Sequence, residues 1–430
     1  MIDKIIRTIR NMWEVPELRR RILFTILILA LLRVLSNIPL PGVDVSKLRD
    51  LLSRNAFFGL FDLFSGGNLQ HFSIASLSLN PYITASVIFQ LLGMALPKIE
   101  ALQKEPGGYE KINQWTRLLT VPLAIVQAVG LYFLLSKQIN IFGSLQWWEL
   151  GTLIITLVAG TMIMMWLGEL LTEYGIGNGI SVVITAGILS RLPSAFSSLT
   201  QTITPENSFN LIALGVAAVA IIIAIVAVNE GERRIPIHVA RRTNSTGGYS
   251  EAPTHLPLKV NQAGVMPIIF AVAVVMLPAS LGQFLQRFSE PQIRAVANWL
   301  IVNFTPQKAV YNIFYFVMVV AFTFFYTVIS FNPEKIADEF MKSGRFIPGI
   351  RPGKPTVNFL NWILARITLS GAIFLGLVAV LPSLMQNLFA TAASLAIGGT
   401  SVLIVVSVVL ESVKQVESLL VTRDYDSFLK

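Results

Sequence analysis

Cysteine is absent from the 430-residue chain, which excludes disulfides and thiolate metal sites. Histidine is nearly absent: His71, His238 and His255 lie far apart, and none has a carboxylate nearby at metal-ligand spacing. His-Glu-x-x-His, Gly-x-Ser-x-Gly and phosphate-loop sequences are missing as well. Gly175, Gly177 and Gly179 follow no strand, so they make a sharp turn between two apolar runs and no dinucleotide site. No catalytic constellation and no cofactor site is left. Charge is also scarce, at 13% of residues against 54% hydrophobic, too apolar a balance for an ordinary soluble protein. The expectation is an all-α polytopic membrane protein. Ionisable residues inside the apolar runs are few, which argues against a proton- or sodium-coupled transporter. Arg33, Glu169 and Arg366 fall near run ends, where snorkelling accounts for them, and Glu411 lies at the end of the last run.

What is present is a series of ten apolar runs, at 22–38, 74–96, 118–135, 150–171, 180–192, 211–228, 264–285, 310–329, 362–384 and 388–410. Of the 33 lysines and arginines, 24 fall on the side of the amino terminus and eight on the other, with Arg33 inside the first run. The positive-inside rule therefore places both termini in the cytoplasm. The net charge of +9 reports this topology and anionic headgroups before it reports nucleic acid. Ten crossings divide into five and five near 201–208, and an odd number per half inverts the second half relative to the first. The organisation read from this is a basic amphipathic segment at 1–21, a first half at 22–200 and a second half at 201–410. Polar loops occupy 229–260 and 331–361, and a cytoplasmic tail follows at 411–430.

One stretch breaks the pattern. Phe57-Phe58-Gly59-Leu60-Phe61-Asp62-Leu63-Phe64-Ser65-Gly66-Gly67 holds an eight-residue apolar run stopped by a double glycine. As a helix that run reaches about 12 Å, well short of a ~30 Å hydrocarbon core. It can enter a membrane without crossing it, and such a re-entrant piece is tolerated only where it is buried in protein or lines a wet cavity. Asp62 is the one acid deep in an apolar run, which a solvated position on the outer side explains.

Two further patterns each carry two readings. Ile83 and Val87, and likewise Ile184 and Ile188, stand four apart on one helical face. They are either core packing or part of a hydrophobic constriction that blocks ions by dewetting. Gln90, Asn261 and Gln262 are amides able to hydrogen-bond between helices without charge. They are either packing contacts or members of a seam that opens.

Six motifs then occur in order: Ile38-Pro39-Leu40-Pro41-Gly42; Asn80-Pro81-Tyr82-Ile83-Thr84-Ala85-Ser86; Met165-Trp166-Leu167-Gly168-Glu169 running into Gly175-Ile176-Gly177-Asn178-Gly179-Ile180-Ser181; Thr254-His255-Leu256-Pro257-Leu258-Lys259-Val260-Asn261; Phe331-Asn332-Pro333; and Phe346-Ile347-Pro348-Gly349-Ile350-Arg351-Pro352-Gly353. With them the chain resembles the SecY family, the large subunit of the bacterial Sec protein-conducting channel, over nearly its full length.

The resemblance implies ten transmembrane helices in two inverted five-helix halves around a central hourglass pore, in the bacterial plasma membrane. Residues 57–67 would be the re-entrant plug helix under the closed constriction. The pore ring carries over onto Ile83, Val87, Ile184, Ile188, Ile269 and Ile404, with Val87 a smaller member where the family favours isoleucine. Ser78 stands where the family more often has glycine. The family's lateral gate lies between the second and seventh spans, which makes Gln90, Asn261 and Gln262 gate candidates. Through it, signal sequences and nascent membrane helices would reach the membrane lipids. Implied partners are the small subunits SecE and SecG, the SecA ATPase and the ribosome. Their docking surfaces would be the basic loops holding Arg241 and Arg242, and Arg345, Arg351 and Lys354. Arg351 is singled out for SecA, although topogenic charge alone explains most of these residues. The other class considered, a secondary transporter on an inverted repeat, is disfavoured by the missing midplane carboxylates.

Deleting residues 57–67 is expected to raise ion leakage through the reconstituted protein in planar bilayers, and unchanged conductance would remove the plug assignment.

Overall fold

A proline opens the first helix of the structure, a computed structural model that describes residues 15–40, 48, 68–105, 107–139, 146–190, 192–193, 197, 208–239, 254–286, 290–305, 307–388 and 399–428. Helix α1, Pro16–Asn37, starts well ahead of the apolar run at 22 because proline suits the first helical turn, where its missing N–H is not needed. Helix α2, Asn80–Ala95, starts later than the run at 74–96 suggests. Residues 68–79 form consecutive turns instead. Their serines pair locally with the backbone: Ser76 donates to the Ser73 carbonyl at 2.6 Å, and the Ser73 amide to the Asn68 carbonyl at 3.2 Å. Such side chains compete with helix, and Pro81 then sets where helix can begin.

Two helices follow: α3, Pro97–Lys104, and the long α4, Gly108–Ile139. Helices α5, Trp147–Tyr174, and α6, Gly179–Leu189, complete the first half. In the second half, α7, Ser208–Glu230, leads into strand β1, Glu232–Val239, and then β2, Thr254–Lys259. Next come α8, Met266–Leu285; α9, Pro291–Asn303; α10, Ala309–Ser330; and α11, Pro333–Lys342. Strand β3, Arg345–Phe346, precedes α12, Lys354–Leu388, and α13, Gly399–Phe428.

Among the described residues, four segments are long and apolar enough by themselves to cross a membrane: Glu110–Phe133, Trp147–Tyr174, Ala309–Lys342 and Lys354–Leu381. The apolar helices Gly179–Leu189, Gly215–Glu230 and Met266–Gly282 are shorter.

The loops expected to be merely polar are built structures. At 229–260, β1 and β2 pair antiparallel from Glu232↔Lys259 to Ile237↔Thr254, and β3 joins on the other edge of β1. Ile235 and Ile237 are buried while Arg234, Pro236 and His238 are exposed, the period-two pattern of a half-buried strand. These side chains and Leu258 pack on Phe340 of α11, Ile347, and Leu360 and Ile363 of α12. An all-α reading therefore needs this small sheet added. A search for long apolar runs passes over a strand with only two inward residues.

Within the first half, α1 packs on α5, α2 on α4, and α5 on both α4 and α6; within the second, α8 packs on α10, α10 on α12, and α13 on α7 and α12. The two groups meet along two edges: α2 and α4 against α8, and α6 against α13. Gly160 on α5 lets the turn segment lie against the helix, since a Cβ there would sit 2.1 Å from the Ile74 carbonyl oxygen.

Ser78 is buried and holds φ +50°, in the left-handed region that glycine enters without strain. The strain of a non-glycine residue there is on the order of 1–3 kcal/mol. Ser78→Gly is expected to keep or raise the melting temperature of the purified protein, and Ser78→Val to lower it. The reverse order would show that the turn tolerates a branched side chain.

Candidate functional site

Four helices, two from each half, supply the candidate ring: Ile83 and Val87 from α2, Ile184 and Ile188 from α6, Ile269 from α8 and Ile404 from α13. The structure brings all six into one apolar cluster. Val87, Ile184, Ile188, Ile269 and Ile404 are buried members, and Ile83 packs against the cluster half-buried. Their neighbours in the cluster include Val183, Ile268, Val272 and Leu403, which nothing in the sequence set apart from other core residues. Among the described residues no aspartate, glutamate, lysine, arginine or histidine is buried. The apolar cluster itself holds no charged side chain.

Beside this cluster lies a cleft of about 380 Å³ bordered by Leu32, Arg33, Asn68, Ser78, Met164 and Ile184. It adjoins the turn segment at 68–79. The candidate plug itself, Phe57 to Gly67 with Asp62 inside it, lies outside the described residues.

The amides separate into two groups. Asn261, buried just ahead of α8, donates its Nδ2 to Asn229 Oδ1 at 2.7 Å and to the Gly264 carbonyl at 3.2 Å. Asn229, near the end of α7, donates in turn to Ser407 Oγ on α13 at 2.8 Å. This chain runs within the second half and ties α7, α8 and α13 together. Asn229 and Ser407 were not anticipated, because each stands alone at the end or in the middle of an apolar run. Gln90 stays on its own helix, donating to Ser86 Oγ at 3.3 Å. The side-chain oxygens of Gln90, Asn261 and Gln262 are buried and accept no hydrogen bond. In a low-dielectric interior an unpaired acceptor is costly, so these oxygens favour any change that supplies a donor.

Beyond the paired strands, Arg345 on β3, Arg351 and Lys354 are exposed around one turn. Gly349 and Gly353, at φ +80° and +96°, bracket Arg351. The Arg351 carbonyl accepts from Thr356 Oγ1 at 3.0 Å, and the Thr356 amide donates to the Gly353 carbonyl at 3.0 Å. The backbone under the guanidinium is thus fixed while the side chain is free to meet a partner. Arg241 and Arg242 lie outside the described residues. Arg117 and Glu169, which snorkelling was expected to explain for the glutamate, form an ion pair at 2.7 Å between α4 and α5. No group of histidine, aspartate and glutamate among the described residues could hold a metal ion.

If Asn261 holds the second half together, Asn261→Ala and Asn229→Ala should each lower stability by about 1 kcal/mol, and the double variant by less than their sum. Thermal unfolding of purified protein checks this, and strict additivity would break the link.

A sequence model of the SecY family matches residues 73–413. The chain is 40% identical to the protein translocase subunit SecY of Streptomyces galbus, covering 97% of this chain and 98% of that one. It is 38% identical to the same subunit of Mycobacterium tuberculosis over the full length of both. Among solved structures, a protein-conducting channel aligns with TM-score 0.66 at 21% identity over 93% of this chain and 92% of that one. Sec61 in a canine ribosome-channel complex aligns with TM-score 0.61 at 19% identity over the same shares. On the length and level of these matches, the chain belongs to the SecY family of protein translocase subunits.

Proposed function

We propose that the chain is the pore-forming subunit of a protein translocation channel in a bacterial plasma membrane, with both termini cytoplasmic. It passes unfolded secretory polypeptides across the membrane and releases hydrophobic helices sideways into lipid. The observation that carries the reading is the single apolar cluster that joins Ile83, Val87, Ile184, Ile188, Ile269 and Ile404 from both halves. A ring of such side chains blocks ions by dewetting, contributes no site for them to bind, and parts around a chain without breaking covalent or ionic bonds. The plug at 57–67 would sit beneath it.

The lateral gate is the edge between α2 and α8, where helices of the two halves touch. Ten central leucine-like residues of a signal sequence gain about 3 to 6 kcal/mol on reaching lipid, at ~0.3 to 0.6 kcal/mol each. Partition of that size sorts secretory from membrane segments with no chemical step, so the chain acts as a channel and the driving force comes from a partner. SecE and SecG would complete the membrane complex, and SecA or the ribosome would dock on the face carrying Arg345, Arg351 and Lys354, together with Arg241 and Arg242. Basic side chains there suit ribosomal RNA phosphates by a salt-dependent contact. The fixed backbone around Arg351 suits a motor that needs a rigid foothold.

The function is tested by reconstitution with SecE, SecG, SecA and ATP. A signal-bearing substrate should become protease-protected, and failure to protect it would remove the reading. In the same assay, Arg351→Glu is expected to reduce SecA-dependent protection at least tenfold while the chain still inserts into the membrane. Normal translocation by this variant would refute the motor contact.

A further inference from the structure

The turn Gly175-Ile176-Gly177-Asn178 between α5 and α6 is bonded on two sides. Toward α1, Thr25 Oγ1 accepts the Ile176 amide at 3.2 Å and Arg21 donates to the Gly175 carbonyl at 3.4 Å. Toward α13, in the other half, the Gly177 amide donates to Gln415 Oε1. Gly177 has φ +82°, a conformation that favours glycine, and a Cβ there would lie 2.8 Å from Ser412 Oγ, so a side chain would also have to displace that hydroxyl. The turn then starts α6 rigidly: Asn178 Oδ1 accepts from the Ile180 and Ser181 amides, and Thr172 Oγ1 accepts the Gly179 amide at 2.9 Å. Helix α13 is equally tied to its own half, through Ser407 with Asn229 at 2.8 Å and Lys414 with Glu230 at 2.7 Å.

Both helices rise from this contact to the candidate ring. Nine residues separate Gly179 from Ile188, and eleven separate Gln415 from Ile404. At 1.5 Å per residue these are about 14 Å and about 16 Å, so the contact sets Ile188 and Ile404 at closely matched depth. We propose that Gln415 is a positioning residue of the channel: by accepting the Gly177 amide across the boundary between the halves, it locks the register of Ile184 and Ile188 against Ile404. This makes the α6–α13 edge the one that does not part when the α2–α8 edge opens. The proposal rests on the reading of these isoleucines as ring members.

The natural absence of cysteine lets a single engineered pair report the motion. Glu173→Cys and Glu417→Cys, both exposed, are spin-labelled in the full chain reconstituted with SecE and SecG, and resting ion leakage is recorded on the same preparation. Gln415→Leu removes the acceptor at similar size, and Gln415→Glu keeps one. Expected for Gln415→Leu are a broadened distance distribution and a roughly two- to tenfold higher leak, the population change that loss of one hydrogen bond allows. Gln415→Glu restores both, and the melting temperature stays within the range of the parent. An unchanged distance and leak in Gln415→Leu overturns the proposal, as does a leak that rises equally in both variants together with a lower melting temperature. Ile188→Ser is the separate control. If it raises the leak while Gln415→Leu does nothing, the register lock fails and the ring stands. If it leaves the leak unchanged, the ring reading fails, and a distance broadened by Gln415→Leu then marks a contact that positions no ring, which overturns the proposal with it.

Discussion

Buried backbone polar groups must be paired within the protein, and the turn segment at 68–79 is where this chain meets that constraint without a helix. Its amides pair in short loops: Phe72 to the Leu69 carbonyl at 3.0 Å, Ser76 to Ser73 at 2.9 Å and Ser78 to Ala75 at 2.8 Å. The end of α1 supplies the rest, with the Leu40 amide donating to the Phe72 carbonyl at 2.9 Å and the Ile74 amide to the Ile38 carbonyl at 3.1 Å. Leu69, Phe72, Leu77 and Leu79 are fully buried, so the segment is walled by protein and not by lipid. The two conformational strains of the described chain, φ +41° at Phe72 and +50° at Ser78, fall inside it. Strain is tolerated here because the surrounding bonds and packing over-determine the path.

Helix α2 begins where this segment ends, so the path of the turns fixes the height of Ile83 and Val87. Gly160 on α5 sets how close the segment comes to the rest of the first half. The candidate ring on the α2 side would thus depend on a glycine contact and a set of short backbone bonds. On the α6 side it depends on the glycine turn that follows α5 and its bonds to α1 and α13. Both supports of the first half pass through α5, which is held in turn by α1 and α4.

Much of this was legible. Apolar runs mark where membrane helices lie because burial in lipid requires them, and β-branched residues four apart mark faces of α2 and α6. The motif at 175–181 marks a tight turn because only glycine fits that approach. What the sequence hid has physical reasons. The start of α2 was misplaced because apolar content does not separate a buried turn from a helix, and only serine hydroxyls and Pro81 signal the difference. The sheet was missed because inward side chains such as Ile235, Ile237 and Leu258 leave no run long enough to register. Asn261 pointed toward a seam by its position, but its partner Asn229 is remote in sequence and lies in the same half. Hydrogen-bond partners of isolated amides are set by packing, which periodicity does not encode.

The two edges between the halves differ in kind, and that difference would give the proposed opening a direction. On α2 and just ahead of α8 the amide oxygens of Gln90 and Gln262 are buried without donors, so these polar groups are poorly satisfied. Separation there admits water or a peptide backbone able to supply the missing donors, which offsets part of the cost of exposing apolar side chains. At the α6–α13 edge the polar contact is already made, between the Gly177 amide and Gln415, so separation there would only exchange that bond for water and satisfy no unmet group. The same physical rule, that a buried polar group must be paired, would therefore offset part of the cost of movement at one edge and offset none of it at the other.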